Sequence, residues 1–254
     1  MRKLAALLLL LLLILAGCAF DTREPTQTTA PTQPYSEPVS EPTTEPENTT
    51  VPSEPQTEAT EAATAPAPEP VDTDFVRITD YIPYAREALA YATEDNFTGV
   101  VIYDFTEAYL RYGTLKKLML AGERLAELGF GIVIWDAYRP VYGQQRLWDA
   151  YPDPAYVSPP GSGTQSHCRG CAVDITLYDL VSGLPVEMPT GFDDFSAYAD
   201  RDYRDVSEEA AANALLLEQI MSDCGFRPYS AEWWHFTDTD SYDIEYGFDP
   251  APIQ

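Results

Sequence analysis

The sequence predicts a mixed α+β domain over residues 73–254, and three observations predict it. Composition changes near residue 72, from a stretch dominated by Pro, Thr, Glu and Ser to one with regular apolar patterning. Thr114 to Leu128 carries Leu115, Leu118, Met119, Leu125 and Leu128 as a helical stripe and is followed by Gly129. Gly131-Ile132-Val133-Ile134-Trp135 reads as a buried strand, and Ala172-Val173-Asp174-Ile175-Thr176-Leu177 alternates with a period of two. About 180 residues suffice for one domain with a substantial core.

In chain order, residues 1–17 read as an export signal. Arg2 and Lys3 precede an almost unbroken apolar run that is too short for a comfortable membrane span. The run ends Leu15-Ala16-Gly17-Cys18, which is similar to the lipobox of bacterial lipoproteins. Lipidation of Cys18 and an extracytoplasmic, membrane-anchored protein are expected, because acyl chains bind a bilayer through their buried methylenes. An ordinary secretory signal with an incidental cysteine is the alternative. Residues 18–72 cannot bury enough apolar surface to offset their ordering entropy and read as a disordered tether. The net charge of −26 argues against nucleic acid and against adhesion to anionic lipid, and solubility alone accounts for it.

Tyr81 to Ala92 suggests a short helix and Val100 to Tyr103 a strand. Thr114 is the expected N-cap of the first long helix. Val141 to Tyr151 reads as a helix behind Pro140, and Tyr151 to Thr164, rich in Pro, Gly and Ser, as a loop that either rims a site or merely connects. Leu177 to Pro189 suggests a hairpin turning at Ser182-Gly183. Ser207 to Cys224 is a helix capped by Ser207, with Leu215, Leu216 and Ile220 expected against a sheet and Gly225 ending it. Phe226 to Tyr229 leads into Glu232-Trp233-Trp234-His235. The tail after Asp238 is acidic and aromatic.

The chemistry concentrates around the chain's two histidines, each beside a carboxylate. His167 lies seven residues before Asp174, and Gly170 lets the chain turn between them. Glu232 and His235 lie three apart, which on a regular strand would point them to opposite faces, so a turn or bulge must re-aim Glu232. Two histidines, an aspartate and a glutamate are the minimum set for a catalytic zinc site: three ligands and one base for the bound water. The same residues also read as a surface histidine with a solvated strand face, and as core aromatics beside a satisfied histidine. Arg139, in a turn past the end of a strand, reads either as an electrostatic catalyst or as an ion-pair partner of Asp136.

Four blocks, taken together, resemble a known family. Tyr91-Ala92-Thr93-Glu94-Asp95-Asn96-Phe97-Thr98-Gly99, Trp135-Asp136-Ala137-Tyr138-Arg139-Pro140, Ser166-His167-Cys168-Arg169-Gly170-Cys171-Ala172-Val173-Asp174-Ile175-Thr176-Leu177 and Glu232-Trp233-Trp234-His235 occur in the order found in D-alanyl-D-alanine dipeptidases of VanX type. The third block departs from the family pattern, with serine directly before the histidine. The resemblance implies a central antiparallel sheet with flanking helices, the Hedgehog/D,D-peptidase-like zinc peptidase fold. It implies one Zn²⁺ per chain on His167, Asp174 and His235, with Glu232 as base and Arg139 as stabiliser of the tetrahedral intermediate. Tyr91, Asp136 and Asp193 fall at substrate-binding positions, with Tyr91 and Asp193 near the substrate's free ammonium.

The implied partner is D-Ala-D-Ala or a related cell-wall peptide. An exported enzyme would meet released dipeptides or the stem peptides trimmed by D,D-carboxypeptidases, and a non-catalytic zinc- or peptide-binding lipoprotein is a third reading. Retention of Glu232 argues against a pure binder, which needs no base. With Cys18 lipidated, Cys168, Cys171 and Cys224 remain. They read as incidental, with a local disulfide or a redox pair at Cys168-x-x-Cys171 as alternatives.

Overall fold

A computed structural model describes residues 68–251. The expected signal peptide, Cys18 and the tether up to residue 67 lie outside the described residues. Among the described residues no helix is long and apolar enough to cross a membrane.

Seven strands and three α-helices make an α+β domain. The strands are β1 (Phe75–Arg77), β2 (Ala85–Glu87), β3 (Tyr109–Arg111), β4 (Phe130–Asp136), β5 (Ala172–Asp179), β6 (Phe226–Tyr229) and β7 (Glu232–Asp238). The helices are α1 (Tyr112–Glu127), α2 (Val141–Ala150) and α3 (Glu208–Asp223). The main sheet has the order β2-β4-β5-β7-β6, and β1 with β3 forms a separate pair. The main sheet is antiparallel from β4 to β6, as the sequence implied, and the short edge strand β2 runs parallel to β4.

Alternation on the central strands divides the sheet into two faces. Ile132 and Ile134 of β4, Val173, Ile175 and Leu177 of β5 and Phe236 of β7 are fully buried, in one cluster with Leu115, Leu118 and Leu125 of α1 and Leu217 and Met221 of α3. Each such side chain contributes roughly 1.5–3 kcal/mol by leaving water. The opposite face of β5 presents Ala172, Asp174 and Thr176.

Several local expectations are corrected by tertiary contacts. Helix α1 starts at Tyr112, and Thr114 is not its N-cap. The N–H groups of Tyr112 and Gly113 donate to the carbonyls of Asp74 and Asp72 at 2.8 and 3.0 Å, so backbone from the preceding segment does the work of a cap. The Thr114 hydroxyl is thereby free to donate to buried Asp238 at 2.6 Å. Leu128 and Leu215 are more than half exposed, and Ala214, Leu217 and Met221 supply the buried face of α3 in place of Leu215. Residues 81–92 form β2 and a single 3₁₀ turn at Ala90–Ala92, not a helix, because β2 finds a ladder partner in β4. Val100 to Tyr103 is not a strand: the N–H groups of Ile102 and Tyr103 both donate to the Tyr91 carbonyl, at 2.9 and 3.2 Å. The hairpin after β5 returns through one bridge, Tyr178 to Pro185, with Gly183 at φ 74°. Ser207 does cap α3, accepting from the Ala210 N–H at 3.0 Å.

Gly170 closes the turn between His167 and β5 at φ 69°, and a Cβ added there would run into the Phe75 ring. Gly170→Ala is therefore expected to cost on the order of 1–3 kcal/mol. Urea midpoints of the two proteins test this, and an unchanged midpoint would show that the turn relaxes freely.

Candidate metal centre and active-site cleft

Three neighbouring strands bring the polar residues together. Asp174 on β5 lies directly opposite His235 on β7 and opposite Asp136 on β4. A register irregularity between Ile134 and Asp136 makes the second pairing. Without that bulge Trp135 would face Asp174. His167 reaches the same place from a 3₁₀ turn, His167–Arg169, just before β5.

The donor atoms of His167, Asp174 and His235 all lie within 4.8 Å of one another, the one such cluster among the described residues. His167 Nε2 is 3.2 Å from His235 Nδ1 and 3.4 Å from an Asp174 oxygen, and His235 Nδ1 is 2.8 Å from the other Asp174 oxygen. A tetrahedral zinc with bonds of about 2.0–2.1 Å sets its ligand atoms about 3.3 Å apart, so the two edges from His167 match and the His235–Asp174 edge is shorter, at hydrogen-bond length. The far nitrogens are also engaged. His167 Nδ1 lies 2.7 Å from the Ala137 carbonyl, which can only accept, so Nδ1 carries the proton and Nε2 offers a lone pair. His235 Nε2 is 2.9 Å from the Thr237 hydroxyl.

Burial and the neighbouring carboxylates shift the two histidines in opposite directions. Burial pushes His167 down to about 3, with Asp174 opposing and Arg139 assisting, so its ring is neutral. Burial also lowers His235, but the Asp174 charge and hydrogen bond outweigh it and the net shift is upward. Glu232 Oε2 lies 4.0 Å from His235 Nδ1, and burial raises its pKa against the opposing pull of His235. The expected re-aiming of Glu232 is present: Pro228 pairs with Phe236 while the next residue, Tyr229, pairs with Glu232. Trp233, Trp234 and His235 therefore sit outside the regular β6 ladder, and Glu232 shares a cleft with His235.

Arg139 is 8% exposed, and the structure meets its reading as an ion-pair partner of Asp136. Its Nε donates to Asp136 at 2.9 Å and its Nη1 to Gln144 of α2 at 2.8 Å, yet it lines the cleft. Burial acts to lower its pKa, and the Asp136 charge more than compensates, so the guanidinium stays charged. Asp136, expected among the substrate contacts, is fully buried and does not line the cleft; it accepts from Arg139, from the Tyr103 hydroxyl at 3.0 Å and from the Ala137 N–H at 3.0 Å. Tyr91 and Asp193 do line it. The Tyr91 hydroxyl donates to Asp193 at 2.7 Å, and the Arg139 guanidinium lies 4.9 Å from the centre of the Tyr91 ring. Desolvation lifts Asp193 to about 8, with the Tyr91 hydrogen bond opposing.

The cleft has a volume of about 350 Å³. The loop between α2 and the His167 turn forms one wall through Tyr156, Val157 and Gln165, and is the rim that the sequence left undecided. Sequence reasoning missed Gln144, Tyr103 and Thr237. Thr237 was within reach of it, lying two residues beyond His235 on the same strand face. Nothing in the pattern pointed to Tyr103, which arrives from an irregular segment. Cys168, Cys171 and Cys224 are free and buried, and burial pushes the Cys168 and Cys171 thiols up to about 11.

With this geometry in place the comparisons with known proteins are informative. A family model described as D-ala-D-ala dipeptidase (Peptidase_M15) matches residues 71–248. The chain belongs to that family of peptidases. A D-alanyl-D-alanine dipeptidase of Escherichia coli (strain K12) is 37% identical over 164 residues, 65% of this chain and 84% of that protein. One from Streptomyces coelicolor is 34% identical over 192 residues, 65% of this chain and 91% of its own length. A solved LD-carboxypeptidase, LdcB, aligns with a TM-score of 0.36 at 17% identity, over 52% of this chain and 59% of that one.

Asp193 gives a prediction for stability. Its folded-state pKa lies above the unfolded value of about 3.9, so the contribution of the protonated side chain is fully present below that value and is lost as pH rises through about 8. Asp193→Asn keeps an acceptor for Tyr91 and cannot ionise. Its melting temperature is expected to hold up better than the parent's as pH rises from about 5 to about 9; superimposable pH profiles would contradict the shift.

Proposed function

We propose that this protein is a zinc-dependent dipeptidase that hydrolyses D-Ala-D-Ala. The observation that carries the proposal is the meeting of the donor atoms of His167, Asp174 and His235 within 4.8 Å of one another beside Glu232, in a member of a dipeptidase family. The three residues would hold one zinc ion. Zinc so held would supply a lowered pKa for the attacking water and polarisation of the scissile carbonyl.

The remaining chemistry belongs to side chains. Glu232 accepts the proton of the attacking water and passes it to the leaving amine, and a carboxylate raised by burial is better matched to that task near neutral pH. Arg139 faces the charge that develops on the carbonyl oxygen. Asp136 and Gln144 fix the guanidinium in advance, so no reorganisation is needed as the charge appears. Asp193, steadied by Tyr91, pairs with the substrate's ammonium, which also restores the carboxylate's ionised form.

We place the enzyme outside the cytoplasm, lipidated on Cys18 and carried by the tether of residues 18–72 from a membrane anchor. Arg2, Lys3, the apolar run and Leu15-Ala16-Gly17-Cys18 support this. That location also favours a second substrate, the D-Ala-D-Ala terminus of a wall stem peptide. Hydrolysis of the free dipeptide against a pentapeptide ending in D-Ala-D-Ala, with and without chelator, separates the two. Peptide binding without release of D-Ala would leave only a binding protein.

Glu232→Ala is expected to keep stoichiometric zinc and to lose at least about a hundredfold in kcat. Wild-type turnover in that variant would remove Glu232 from the mechanism. His235→Ala is expected to lose stoichiometric metal, and full zinc by elemental analysis would count against the ligand set.

A further inference from the structure

The turn that presents His167 holds itself with three local backbone hydrogen bonds, of 3.0 to 3.2 Å. It is one 3₁₀ turn without a side-chain cap, entered through Gln165 at φ 45° and left through Gly170 at φ 69°. Short 3₁₀ segments have poor hydrogen-bond geometry of their own. It is also held from behind, by Arg111 at the end of β3 and by the chain after β7.

Three consecutive carbonyls of this turn accept from those two places. Cys168 O accepts from the Glu245 N–H at 2.9 Å, Arg169 O from Arg111 Nε at 3.1 Å, and Gly170 O from the Arg111 N–H at 2.9 Å. Arg111 and Glu245 then join each other, Nη2 to Oε2 at 2.9 Å, with side chains only 10% and 23% exposed. The second oxygen of Glu245 accepts from the N–H groups of Gly247 and Phe248 at 2.6 and 3.1 Å. That bend lays Phe248 flat on Phe75, 4.4 Å between ring centres, while the Phe248 carbonyl accepts from the Tyr138 hydroxyl at 2.9 Å. Arg111, Glu245, Phe75, Phe248 and Tyr138 do not line the cleft, whereas Cys168 of the turn does.

We propose that Arg111 and Glu245 are positioning residues for the metal. They clamp the His167 turn so that Nε2 meets Asp174 and His235 at ligand spacing. The proposal rests on the zinc centre put forward above. The leverage is geometric. Asp174 and His235 are fixed by sheet register, whereas the His167 turn has only its own short hydrogen bonds, the Ala137 carbonyl and the Arg139 N–H on the cleft side, and the clamp behind it. A guanidinium fork is required, because Arg111 reaches the Arg169 carbonyl and the Glu245 carboxylate at once from different nitrogens.

The test measures the zinc dissociation constant of the full chain by chelator competition, with the absorption spectrum of the cobalt-substituted protein as a second readout. Glu245→Ala and Glu245→Gln are expected to weaken zinc binding about tenfold to a hundredfold, the scale for residues that support metal ligands, and to alter the cobalt spectrum. Arg111→Lys, which keeps the charge and loses the fork, is expected to fall with them. Lys116→Ala is the control, since it breaks a solvent-exposed ion pair with Asp72 away from the turn and should leave both readouts unchanged. Wild-type zinc affinity and cobalt spectrum in Glu245→Ala would overturn the clamp while leaving the metal centre standing. An equal loss in Lys116→Ala would also overturn it, as general loosening. A wild-type protein that takes up no zinc would instead overturn the centre, and the clamp with it.

Discussion

The register of β4, β5 and β7 is the constraint on which the site depends. Asp136, Asp174 and His235 form one row across three strands, and a slip of a single residue would turn each of them to the other face of the sheet. The opposite face prevents that slip. Ile134 pairs with Ile175 and Val173 with Phe236, all fully buried against helices, and a slip would drive these apolar side chains into the polar cleft. The hydrophobic burial that stabilises the fold thus also sets the spacing of polar groups that contribute nothing to it alone.

Where the regular sheet would misdirect a side chain, the ladder is broken. The bulge on β4 replaces Trp135 by Asp136 opposite Asp174, and the irregularity beside β6 lets Glu232 and His235 share a cleft although they are three residues apart. The displaced aromatics are not left loose. Trp135 packs edge-on to Trp233, whose indole N–H donates to the Thr190 hydroxyl at 2.9 Å, and Phe192 packs against both Trp135 and Trp234. This aromatic block runs up to Asp193 and its partner Tyr91 through Phe192, so the packing that absorbs the irregular backbone also supports two residues that line the cleft.

What was legible in the sequence follows from the range of the forces involved. The strands around Ile132 and Ile175 and the helices after Arg111 and Ser207 could be read because alternation, apolar stripes and capping are local. Both histidines and their carboxylates stood out by rarity and spacing, and the need to re-aim Glu232 followed from strand geometry alone. The misread segments are those whose backbone is satisfied from a distance. Residues 100–103 bond back to Tyr91, residues 85–87 pair with β4, and α1 begins on carbonyls of residues 72 and 74. The acidic, aromatic tail gave no periodic signal, because its role depends on Arg111, Phe75 and Tyr138, more than a hundred positions upstream.

Charge explains why these corrections converge on one place. Asp136, Asp174, Asp193 and Glu232 crowd around a single guanidinium, with the imidazole of His167 held neutral. With all four acids ionised and both imidazoles neutral, the pocket carries an excess of three negative charges, and the upward shifts of Asp193, Glu232 and His235 answer desolvation of the acids and that excess. Unpaired buried charge is costly and is relieved either by protonation or by a counter-ion. A divalent cation between the histidines and an ammonium at Asp193 together supply three positive charges. The protein's own groups therefore leave a deficit of the size that a bound divalent cation and the free amino end of a peptide would fill under the proposed function.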